Sequence, residues 1–89
     1  MEIRWHKAAA KELQSLKPDL AERVIEKVEE SAENPQHFLE GLTGTKHYKL
    51  RVGDYRVIIE WDWKEKIITV LMIGHREGIY KRMGRNLED

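Results

Sequence analysis

The chain has 89 residues, with 16 Lys and Arg against 16 Asp and Glu and no cysteine. This is enough for a single domain with one modest core, residues 1–89, and too short for two. Hydrophobic residues make up 40% and charged residues 36%, which excludes both an intrinsically disordered segment and a membrane-embedded chain. The longest apolar stretch, Ile67 to Ile73 with Thr69 inside it, falls far short of the ~18 residues of a membrane span.

Met1 to His6 show neither the apolar run nor the small-residue cleavage site of a signal peptide. With no thiol or disulfide chemistry available, the sequence predicts a cytoplasmic protein without contact to membranes. His6, His37, His47 and His75 have none of the spacings of a metal site. The balanced charge conceals a division: residues 1–45 hold six basic residues against nine acids, a net of −3, and residues 46–89 hold ten against seven, a net of +3. An anionic partner for the C-terminal half is the simplest reason for such segregation.

Taken in chain order, residues 2–5 alternate and place Ile3 and Trp5 on one side of a short strand. From about Lys7 the period becomes helical, with Ala9, Leu13 and Leu16 in one stripe, and Pro18 ends that helix. A second helix starts at Pro18, which suits a first turn, with Asp19 and Glu22 complementing the dipole there. Leu20, Val24, Val28 and Ala32 form its buried stripe, its acidic remainder faces solvent, and Asn34-Pro35 stops it. Residues 35–46 read as a loop with Phe38, Leu39 and Leu42 turned back onto the core.

The period then changes to two. Tyr48, Leu50 and Val52 alternate with Lys49 and Arg51. After Gly53-Asp54, Tyr55, Val57, Ile59 and Trp61 alternate with Arg56, Ile58 and Glu60. Gly at the first central position of a two-residue connection marks a type II′ hairpin turn. Ile67 to Ile73 is apolar throughout, as in a strand covered on both faces. The expected architecture is α+β: a small antiparallel sheet of three or four strands in β-α-α-β-β-β order. Its face bearing Tyr48, Leu50, Val57 and Ile59 packs against two N-terminal helices, and a short helical tail follows.

A two-residue turn at Gly53-Asp54 sets Val52 opposite Tyr55, Arg51 opposite Arg56 and Lys49 opposite Ile58. Three cations then share one sheet face. Like charges directly opposite each other destabilise a sheet, so either this is a solvated hairpin face helped by Glu60 or an anion such as a phosphate belongs between them. The meander brings the end of the third strand beside the start of the middle one, so Arg76 emerges near Arg51 and Arg56, and one helical turn returns Tyr80 to the same place. Cations for phosphates and a ring for an unpaired base suit RNA. His75 reads either as a turn residue or as a catalytic one.

The string from Tyr48 to Ile58, Tyr-Lys-Leu-Arg-Val-Gly-Asp-Tyr-Arg-Val-Ile, followed by His75-Arg76 and Tyr80, resembles the RelE toxins of toxin–antitoxin systems, within the wider RelE/ParE superfamily. The resemblance runs from the first strand to Tyr80 and is strongest from Leu39 onward. It implies the toxin of a type II pair: a ribosome-dependent endoribonuclease that cuts messenger RNA in the A site and is neutralised by a small cognate antitoxin, oligomeric only through that partner. Lys49 and Arg51 match the basic pair before the turn, Arg56 the arginine after it, Arg76 the arginine after the last strand and Tyr80 the base-stacking tyrosine. The implied chemistry is attack of the 2′-hydroxyl on the adjacent phosphate, giving a 2′,3′-cyclic phosphate and a 5′-hydroxyl, with no metal or other cofactor.

Two features depart from the family pattern. Arg51 stands where Lys is frequent, and Arg does not give up its proton. This leaves Lys49 as the candidate general base, among cations that disfavour its charged form. Either His75 or Arg76 fits the leaving-group acid. The chain is also neutral where ribosome-binding relatives are usually strongly basic, so salt-dependent affinity for ribosomal RNA is expected to be weaker or confined to the C-terminal half. The alternatives are a ParE-like inhibitor of DNA gyrase with the same fold, or an inactive relative that only binds its antitoxin.

Overall fold

A computed structural model describes residues 1–87. The chain runs β1 (Glu2–Trp5), α1 (Lys7–Ser15), α2 (Pro18–Glu33), α3 (Pro35–Phe38), β2 (Glu40–Gly41), β3 (Tyr48–Val52), β4 (Tyr55–Asp62), β5 (Ile67–His75) and α4 (Ile79–Leu87). The five strands form one sheet in the order β1-β5-β4-β3-β2.

Each N-terminal element begins and ends for a local reason. His6 caps α1 by accepting the Ala8 N–H at Nδ1. Pro18 occupies the first turn of α2, where a missing N–H costs nothing, and Asp19 lies in that turn. Val24, Val28 and Ala32 are buried along α2 as the stripe requires. The segment expected to be a loop is more ordered, because Pro35 nucleates the single turn of α3 and Glu40–Gly41 pair with β3.

The hairpin register matches the turn chemistry. Val52 faces Tyr55, Arg51 faces Arg56 and Lys49 faces Ile58. Gly53 has a φ of +58°, and Lys66 is the single non-glycine at positive φ among the described residues. Asp54 is therefore not left-handed, which distinguishes type II′ from type I′.

The sheet is mixed, with five strands. β2 to β5 are antiparallel, but β1 runs parallel to β5, with Ile3 beside Ile68 and Trp5 beside Val70. Residue periodicity fixes which face of a strand is apolar and carries no record of its partner or direction. The long crossover through α1 and α2 is what permits a parallel neighbour.

Both faces of the sheet are covered. On one, Ala9, Val24, Val28, Leu50, Val57, Ile59, Ile68 and Val70 form the main core beneath α1 and α2. On the other, α4 lays Ile79 and Met83 over Ile58 and Met72, with Leu42 and Leu71 beside them. Ile79 and Met83 are one turn apart, so a single stripe of α4 makes this contact. A register shift between Ile58 and Ile59 leaves Leu71 without a partner on β4. The bulge lets Val70 and Ile73 face the main core while Leu71 and Met72 turn to the second one. Gly74 admits α4 at close range: a Cβ there would stand 2.7 Å from Ile79 Cδ1.

Candidate functional site

The face of the hairpin turned away from α1 and α2 opens into a cleft of about 480 Å³ lined by Glu40, Lys49, Arg51, Arg56, Arg76, Glu77 and Tyr80. Strand alternation puts Lys49, Arg51 and Arg56 there, since Leu50, Val52 and Val57 are held in the main core. Arg51 and Arg56 are direct cross-strand partners. Like charges so placed repel each other, and an anionic ligand between them would relieve that repulsion.

Arg56 is unusual among the cations in being only 9% exposed. Its Nη1 donates to the Gly53 carbonyl at 2.9 Å and to the Tyr55 carbonyl at 2.8 Å. The turn therefore fixes the guanidinium plane before any ligand arrives, the condition under which a donor stabilises developing charge without reorganisation. Arg76 is brought in by its own backbone, whose N–H donates to the Asp54 carbonyl at 2.8 Å. Tyr80, in the first turn of α4, is 41% exposed and also borders a second hollow, of about 520 Å³, with Leu42, Lys46, His47, Met83 and Gly84.

Two acids sequence reasoning missed also line the cleft. Glu40 pairs with Lys49 across β2 and β3, and its carboxylate lies 3.7 Å from the Lys49 ammonium. Glu77 follows Arg76 directly. Four cations and two carboxylates leave the cleft with a net charge of about +2. The only sequence signal for Glu40 was its place just before Gly41, which does not reveal a two-residue strand.

His75 is not brought into this cleft. It pairs with Tyr55, and the two rings meet edge to face at 5.6 Å, on the side of the sheet opposite Arg56. Its Nδ1 accepts the Glu77 N–H at 3.3 Å. Of the six residues singled out from sequence, Lys49, Arg51, Arg56, Arg76 and Tyr80 converge and His75 lies apart.

Residues 3–80 match the family model described as the ParE toxin of the type II toxin–antitoxin system parDE. A protein of Methanocaldococcus jannaschii named "Putative toxin RelE1" is 32% identical over 84 residues, covering 89% of this chain and 93% of that one. The archaeal RelE–RelB complex from Pyrococcus horikoshii superposes with a TM-score of 0.72 at 34% identity, over 84% of this chain and 93% of that one. The toxin–antitoxin complex RelBE2 of Mycobacterium tuberculosis gives 0.78 at 22% identity, over 84% of this chain and 96% of that one. With the matched span reaching from β1 to Tyr80, the chain belongs to the RelE/ParE superfamily of type II toxin–antitoxin toxins.

Proposed function

We propose that this toxin cleaves messenger RNA on the ribosome, in the A site, and that a small antitoxin protein with an acidic segment neutralises the cleft. The observation that carries the reading is the convergence of four cations and an exposed tyrosine in one cleft, with Arg51 held opposite Arg56. A surface that only docks onto another protein has no need to gather like charges at the cost of hairpin stability.

In the proposed reaction Tyr80 stacks on an unpaired base and orients the backbone beside it. The Lys49 amine takes the proton of the 2′-hydroxyl as that oxygen bonds to the adjacent phosphorus. Arg51 and the pre-oriented Arg56 donate to the phosphorane oxygens, where charge accumulates. Arg76 donates to the departing 5′-oxygen, which ends as a hydroxyl with a proton from solvent. The P–O5′ bond breaks and a 2′,3′-cyclic phosphate remains. Arg76 takes this role over His75 because it lines the cleft and His75 faces the other side.

A second reading, a ParE-like protein that inhibits DNA gyrase without chemistry, is favoured by the description of the matched family model. Primer extension on a message translated in vitro, with and without ribosomes, separates the two. New 3′ ends within A-site codons, dependent on ribosomes and lost in Arg56→Ala and Arg76→Ala, are expected. Intact message together with inhibited supercoiling by gyrase would replace the nuclease reading with the gyrase one.

A further inference from the structure

β1 stops at Trp5, and the His6 N–H makes the last bond on that side, to the Val70 carbonyl. Among the described residues no strand lies beside the edge of β5 beyond Val70, yet the backbone of Ile73 is satisfied in both directions. Its N–H donates to Glu12 Oε1 at 3.3 Å, and its carbonyl accepts from Arg82 Nη1 at 3.3 Å. Arg82 Nη2 and Glu12 Oε2 close the ring in an ion pair. Glu12 comes from α1 on one face of the sheet and Arg82 from α4 on the other, so the pair reaches round the edge and does there what a neighbouring peptide would do.

From these contacts we propose that Glu12 and Arg82 form a latch that sets the rotation of α4 and thereby holds Tyr80 at the cleft. Glu12 is then a positioning residue for a site on the far face of the sheet. The apolar contacts of α4 cannot do this alone. Ile79 and Met83 press the helix onto Ile58 and Met72, but apolar burial is non-directional and methionine adapts to many packings. Arg82 and Tyr80 are two residues apart, about 200° round the helix axis at 3.6 residues per turn. Fixing one therefore fixes the direction of the other. The contact is also directional, because a guanidinium presents its donors in a rigid fork. With Glu12 25% and Arg82 43% exposed at the side chain, its contribution is orientation more than stability.

The effect on RNA rests on the proposed nuclease function, whereas the latch itself does not, and two measurements keep them separate. Amide hydrogen exchange by NMR reads the latch directly. In Glu12→Ala the Ile73 amide should exchange about tenfold faster or more, as for a lost hydrogen bond to a charged group, and the Met83 amide should lose protection with it. Val24 and Val28 on α2 should be unchanged. Arg82→Ala should give the same response at Met83 from the other end, and Glu12→Gln, which keeps an acceptor for Ile73, should retain most of the protection at Ile73. Unchanged exchange at Met83 in both alanine variants would overturn the latch.

The second measurement is a double-mutant cycle on affinity for a single-stranded RNA carrying a 2′-deoxy sugar at the cleavage position. If Glu12 acts through Tyr80, Glu12→Ala and Tyr80→Ala each weaken binding about fivefold or more, and the double variant is no worse than Tyr80→Ala alone. Additive losses would reject the route through Tyr80. If neither the wild type nor any variant bound this free RNA, hydrogen exchange alone would decide the latch, and the nuclease reading would stand or fall on the ribosome-dependent primer extension.

Discussion

Arg56 and Lys49 are both cations of one cleft, and their surroundings differ. Arg56 is mostly buried with one guanidinium nitrogen bonded to two turn carbonyls, so its direction is fixed and its charge permanent. Arg56→Lys keeps the charge and loses the fork, and single-turnover cleavage should fall by about 10²-fold, the scale of a lost transition-state donor. Lys49→Arg should be as inactive as Lys49→Ala if the amine accepts a proton, and full cleavage by Lys49→Arg would reduce Lys49 to a phosphate contact. Glu40 lies 3.7 Å from Lys49 and adds negative charge where an RNA phosphate would bind. Glu40→Gln should therefore tighten RNA binding at low salt by up to about fivefold, within the range of an exposed ion pair, and weaker binding would give Glu40 a direct role in the reaction. Tyr80→Phe should behave as wild type where only stacking matters, because the ring face is kept.

Among the elements, α4 links the second core to the cleft, and Gly74 is the point at which it can be displaced. A Cβ at Gly74 would meet Ile79 Cδ1 at 2.7 Å and Arg82 Nη1 at 2.8 Å. The arginine can move, but Ile79 is fully buried and has nowhere to go. Gly74→Ala should cost about 1–3 kcal/mol in urea unfolding, the usual penalty of overpacking, and should lower RNA affinity through Tyr80 as well. Unchanged stability would mean that α4 shifts along the sheet at little cost. The short β2 acts at the same scale: two residues suffice to bring Glu40 beside Lys49, and nothing in the Thr- and Gly-containing segment around it has the length or alternation that marks a strand.

For the whole molecule, the proposed function requires a neutral chain to bind RNA through a local field. The salt dependence of binding measures how local it is. Four cations in contact with single-stranded RNA give a slope of log affinity against log salt of about −3, from ~0.7 per phosphate neutralised. Fluorescence anisotropy of a labelled oligonucleotide across a salt series measures it. A slope near −1 would place most of the four cations outside the contact, and one much steeper than −3 would bring in the further lysines and arginines of residues 46–89.

How much of this was legible beforehand follows from what each kind of signal encodes. Alternation at Tyr48 to Trp61 and the Gly53-Asp54 turn determined the hairpin, its register and the face on which Lys49, Arg51 and Arg56 stand, because side-chain period and turn type are local properties of the chain. The proline-bounded helices were determined in the same way. The tertiary structure alone decided the parallel pairing of β1 with β5, the covering of the second sheet face by α4, the meeting of Glu12 with Arg82, and the placement of His75 away from Arg56. Each of these joins segments far apart in sequence, or depends on strand parity carried past the bulge at Leu71. Periodicity says which face is apolar, and only the packed molecule says what lies against it.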